Sequence, residues 1–100
     1  MKNQKRKLDY KQIGEYRRKE LEYFCLQYHD FVKENRYDLA EMIEQSAFYA
    51  CSDMYSSIIR HVTTRFSNYD NINPPCERSQ YYKALRSFYV GLANRRYPSR

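Results

Sequence analysis

Arg, Ser, Gln and Lys side chains gather in one short stretch of this chain, Glu77-Arg78-Ser79-Gln80-Tyr81-Tyr82-Lys83, with Arg86 three residues further on. An Arg guanidinium pairs with guanine O6 and N7, a Gln amide with adenine N6 and N7, and Lys or Ser holds phosphate. Set on the first turns of a helix, Arg78, Ser79, Gln80, Lys83 and Arg86 are candidates for contact with nucleic acid. The same spacing also describes an ordinary solvated helix face with Ser79 as its cap. Lys5, Arg6 and Lys7, flanked by Lys2 and Lys11, form a second cationic group. Such a group tracks phosphates or enters a minor groove, and it equally reads as a solubilising tail. Arg95, Arg96 and Arg100 carry positive charge past the end of the last helical pattern.

Other chemistries find less support. Cys25 and His29 share a helix face at a spacing of four, and Cys51 and Cys76 lie far along the chain. No Cys-x2-Cys pair occurs, so the reading is free, buried thiols and no metal. His61 sits beside an apolar stripe and reads as a packing histidine. Asp38, Glu41 and Glu44 are spaced as a helix surface, not as an acid–base pair. Gly14 and Gly91 are too far apart for a phosphate loop. The expectation is a binding protein, neither an enzyme nor a holder of a cofactor.

Charge is arranged in blocks. Residues 1–19 hold eight Lys/Arg and two Asp/Glu, residues 20–53 hold two and eight, and residues 54–100 hold eight and two. Two basic ends flank an acidic middle within an overall charge of +6. That distribution suits a polyanionic partner, and it also lets the middle pair with the ends of a second copy. Three cysteines, an odd number, fit a reducing compartment. No apolar run approaches the ~20 residues of a membrane helix, and the start carries no secretory segment, so a cytoplasmic protein without a membrane partner is expected.

The elements that must position these groups are helical. One hundred residues make one domain with a small core. Two glycines and three prolines leave little turn chemistry for a hairpin-rich β fold. Residues 1–9 read as a basic flexible arm, and 10–100 as a single helical domain. Ile13, Tyr16, Leu21, Phe24, Tyr28, Phe31 and Val32 predict one long amphipathic helix from Tyr10 to Lys33, about 35 Å long and able to serve as a dimer element. Asn35 is a stop signal. Leu39, Met42, Ile43, Ala47 and Ala50 predict a second helix over 37–51, followed by Ser52-Asp53 as a cap. Tyr55, Ile58, Ile59, Val62 and Phe66 predict a third over Met54–Phe66. Asn68–Asn73 reads as a turn or one helical turn, and Pro74 predicts an extended Asn73. The last helix, from about Glu77 to Arg96, turns Tyr82, Leu85, Phe88, Tyr89 and Leu92 inward. The twelve tyrosines exceed what one small core holds. Tyr23, Tyr37, Tyr49, Tyr69, Tyr81 and Tyr97 are the candidates for the surface or for half-buried helix seams. The fold class predicted is all-α: a small bundle of about four helices, with a long first helix and a degenerate helix-turn-helix at the C-terminal end.

Residues Met42–Arg96 carry Ile43-Glu44, Asp53, Tyr55, Ile58, Val62, Pro75-Cys76, Arg78, Gln80, Tyr82, Arg86, Phe88 and Tyr89. In these marks, about half the chain resembles a family of small uncharacterised proteins of Firmicutes phages and integrated elements. It is more loosely similar to phage late-transcription regulators with a sigma-like helix-turn-helix end, from which it departs in its short first motif helix and its double proline. The family resemblance implies a phage or mobile-element setting in a bacterial host cell and no activity; the basic groups, with the looser similarity, lead to the expectation of double-stranded DNA as partner, in transcription regulation. The alternative, read from the tyrosines, the arginines and an acidic middle that could mimic phosphate charge, is a non-enzymatic inhibitor of a host or anti-phage defence protein, anti-CRISPR-like, acting by protein–protein binding. A homodimer is compatible with both.

Overall fold

A computed structural model describes residues 10–98. The basic arm, with Lys5, Arg6 and Lys7, lies outside the described residues, as does Arg100. A single 3-10 turn, Tyr10–Gln12, leads into α1 (Glu15–Leu26) and α2 (Tyr28–Lys33). Then follow α3 (Tyr37–Ala50), a second 3-10 turn (Ser52–Met54), α4 (Tyr55–Val62), the single-turn α5 (Tyr69–Ile72) and α6 (Arg78–Arg96). No strand occurs among the described residues. The all-α bundle is as the apolar periodicity predicts.

The predicted long first helix is broken at Gln27. Its N–H bonds Phe24 O three residues back, and its side-chain Nε2 donates to Tyr23 O at 3.2 Å. The side chain thus serves the carbonyl that the backbone would otherwise have taken, and the helix is interrupted without proline or glycine. In place of a ~35 Å rod stand α1, ~18 Å long, and the shorter α2. The register also differs from expectation. Leu21, Phe24 and Cys25 are buried, whereas Tyr16 is 86% exposed and Val32 faces solvent.

Asn35 ends α2 as expected. It adopts φ 61°, its N–H bonds Val32 O, and Arg36 N–H reaches Phe31 O at 2.7 Å. This paired closure of the last helical carbonyls needs a left-handed residue, for which Asn is well suited.

Helices α3 and α6 form the most extensive contact of the fold. Ala40 and Ala47 on α3, with Ala84 and Ala93 on α6, are buried and short enough to let the two backbones approach. Ile43, Phe88 and Leu92 fill the space between and around them. Ser46 is buried in α3, but its hydroxyl donates to Met42 O at 2.7 Å, so no polar group is stranded. Helix α1 and the Tyr10–Gln12 turn also pack on α6. At the far end Tyr97 returns to α1, donating to the Glu20 carboxylate beneath the Arg17 guanidinium, which lies 4.1 Å from its ring centre.

Three further expectations are corrected. The third helix stops at Val62 rather than Phe66, and Ser52-Asp53 forms a 3-10 turn with no side-chain cap. Phe66 leaves the apolar stripe for a left-handed conformation, φ 61° and 85% exposed. Asn73 is left-handed too, φ 53° and ψ 58°, not extended ahead of Pro74. Asn68 and Asn71 form a reciprocal capping box that makes the intervening segment one helical turn.

Candidate nucleic-acid interface

Helix α6 carries Arg78, Lys83, Arg86, Arg95 and Arg96 and no carboxylate over its nineteen residues. Its inward arc is Tyr81, Ala84, Leu85, Phe88 and Leu92, the i, i+3, i+4 pattern of a core face. The outward arc presents Ser79, Gln80, Lys83, Arg86 and Ser87, all exposed. Among the described residues neither Lys83 nor Arg86 is in an ion pair, so both cations are open to solvent and to an anion.

The structure does not bring all the expected contact residues to that arc. Arg78 turns toward α5, where its Nη2 lies 3.2 Å from Asp70 Oδ1 and its guanidinium 4.9 Å from the Tyr69 ring centre. Arg95 lies across Tyr49 and donates to Gly91 O at 3.2 Å. Arg96 stacks 4.0 Å above Phe24, with its Nε buried and unpartnered among the described residues. These three guanidinium groups pack on aromatic faces of the fold itself, an attraction that favours Arg over Lys.

The single-turn α5 lies between α4 and α6. That turn is tied to α6. Tyr69 N–H donates to Tyr82 Oη at 3.1 Å, and the Tyr69 hydroxyl donates to Cys76 O. On one flank of α6, Arg86 shares a hollow with Tyr10, the point where the basic arm joins the described fold. On the other flank, an open groove of about 470 Å³ runs from Gln80 and Lys83 toward Ser87, with Ala50 and Ala84 among its lining.

Behind the outward arc lies a polar pair that the sequence pattern places only in part. Tyr81, expected among the surplus tyrosines, is fully buried, while Tyr82 and Tyr89, expected inside, are half-buried. Tyr81, Leu85, Phe88 and Leu92 follow one heptad-like stripe, the signal that would have found it. Its Oη lies 2.9 Å from His61 Nδ1 and 3.4 Å from Ser57 O. His61 is the packing histidine expected. Burial lowers its pKa from the ordinary value, and burial raises that of Tyr81.

The folded state therefore disfavours the His61 imidazolium. His61 contributes stability that is fully present above about pH 6.5 and is lost as pH falls through its lowered folded value. Urea unfolding between pH 7.5 and 5 should show the midpoint falling, and His61→Gln should remove part of that slope. An unchanged slope in the variant would assign the pH dependence elsewhere.

Among the described residues no three His, Cys, Asp or Glu side chains gather as a metal cluster, and no helix is long and apolar enough to cross a membrane. No family model, curated protein or solved structure matches this chain.

Proposed function

We propose that this chain is a small phage or mobile-element protein that binds double-stranded DNA and regulates transcription without catalysis, acting in the cytoplasm of a bacterial host. The observation that carries the reading is the single-signed α6, with cations along nineteen residues and no acid among them. Lys83 and Arg86 capture phosphates, while Ser79 and Gln80 lie on the same arc within reach of the backbone or base edges. Tyr10, the first described residue, shares a hollow with Arg86, and Lys5, Arg6 and Lys7, which precede it in sequence outside the described residues, add positive charge to the chain. Arg78, Arg95 and Arg96 play a lesser part, because each is already engaged by the fold. The one-turn α5 favours binding dominated by phosphate over deep major-groove reading. The phage setting rests on the resemblance of Met42–Arg96.

The test is a titration of labelled duplex DNA at several salt concentrations. Wild type should bind and weaken steeply with salt. Lys83→Ala with Arg86→Ala should lower affinity roughly tenfold per cation at moderate salt and flatten the slope of log K against log salt by about 0.9 for each phosphate no longer neutralised. Unchanged affinity and slope in that double variant would sink the site.

A second reading, an inhibitor of a host or defence protein, is favoured by one observation. Phe48 and Tyr49 stand exposed and edge-to-face on the outer side of α3, on the same helix as Asp38 and Glu41. Aromatic anchors among acids suit a protein partner. Absence of DNA binding even at low salt would move the function to that surface.

A further inference from the structure

We propose that Cys51, Met54 and Cys76 form a sulfur-only binding site for a soft monovalent cation, Cu(I) or Ag(I). Two separate turns build it. In the first, the Ser52–Met54 3-10 turn follows directly on Cys51, and Met54 N–H bonds Cys51 O at 3.1 Å. Cys51 stands in an extended conformation at the head of that turn, and it lines the same groove as Met54. In the second, Pro74 and Pro75 bring the chain back so that Cys76 Sγ lies 2.9 Å from Met54 Sδ, across 22 residues of sequence. Cys76 is fixed there from both sides of its peptide, its N–H bonding Pro74 O at 2.9 Å and its carbonyl accepting the Tyr69 hydroxyl. All three sulfur-bearing residues line the groove beside α6.

The chemistry of this donor set is selective. Thiolate and thioether sulfur prefers Cu(I) and its heavier relatives, whereas zinc requires four ligands of the Cys, His or carboxylate kind. The three sulfurs of the groove match an ion content with two or three such donors. Met54 is buried and holds its thioether still, while both cysteines are half-buried and reachable from the groove. Binding breaks two S–H bonds and forms two S–Cu bonds, releasing two protons to solvent. The resulting bis-thiolate complex carries one negative charge, in a groove lined by both the Lys83 ammonium and the Asp53 carboxylate.

Reduced protein under argon, offered Cu(I) as its coloured bicinchoninate complex, should withdraw one ion per chain and bleach the colour, while Zn(II) should not be held. Cys51→Ser and Cys76→Ser should each weaken uptake on the order of 100-fold, and the volume-conserving Met54→Leu on the order of 10-fold. Circular dichroism of each variant establishes that it is folded. The Cys51→Ser/Cys76→Ser double variant keeps the buried Cys25, and so reports what an isolated thiol does. Uptake by that double variant equal to wild type, failure of wild type to compete with the chelator, or Zn(II) held as tightly would each overturn the site.

Discussion

Tyr81→Ala should cost about 3–5 kcal/mol, the largest single-residue loss in the fold. Tyr81 is fully buried, and its ring lies edge-on or tilted against His61, Tyr69 and Tyr82, with centroids 5.5, 5.8 and 5.5 Å away. Truncation removes those contacts together and leaves a hole where α4, α5 and α6 converge. A domain of this size is stable by only about 5–15 kcal/mol, so the variant retains little margin. Each kcal/mol of destabilisation lowers Tm by roughly 4–8 °C, so thermal melting reads the effect directly. Tyr81→Phe separates packing from hydrogen bonding. It keeps the ring but deprives His61 Nδ1 of its partner, at about 1–3 kcal/mol. Tyr81→Ala costing under about 1 kcal/mol would mean that α5 does not depend on this ring.

Leu21→Ala should cost about 2–5 kcal/mol and act on a different part of the molecule. Helix α1 commits only Leu21, Phe24 and Cys25 to the core, and its other faces carry Tyr16, Arg17, Lys19, Glu20 and Tyr23 in solvent. Twelve residues are marginal as an isolated helix, so α1 exists because it is docked. Removing the central contact should therefore loosen α1 ahead of global unfolding. Amide exchange should accelerate across residues 15–26 while α3 and α6 keep their protection, and the urea m-value should fall. Uniform acceleration across all helices would show instead that α1 unfolds only with the rest.

The sequence makes the helical faces legible wherever side chains are plainly apolar or plainly charged. Ile43 and Ala47 mark α3, and Leu85, Phe88 and Leu92 mark α6, at the spacing observed. Asn35 marks a stop because few residues tolerate its conformation. Tyrosine defeats the same logic. A ring with a hydroxyl is at home on either side of a helix, so the pattern puts Tyr16 inside and Tyr81 outside, the reverse of what is found. The break at Gln27 has no proline or glycine to announce it, since it comes from one amide competing for one carbonyl. The arginines show a related limit. Composition counts Arg78, Arg95 and Arg96 as free charge, whereas Tyr69, Tyr49 and Phe24 take them up from other elements of the fold. The approach of Cys76 to Met54 likewise depends on tertiary placement that no local spacing encodes.

Phe66 sets where the polypeptide can be cut. It projects into solvent from the segment between α4 and α5 in a conformation that costs a bulky residue about 1–2 kcal/mol, with Arg65 alongside it. A digestive enzyme of trypsin-like preference finds its residue at Arg65, and one of chymotrypsin-like preference finds its own at Phe66, both outside any helix. Cleavage there divides the chain into two pieces, one bearing α1 to α4 and the other α5 and α6. Because α6 packs against both α1 and α3, the pieces should stay assembled after the peptide bond is gone. The nicked molecule should then behave as a complementing pair, held by its core and separated by denaturant.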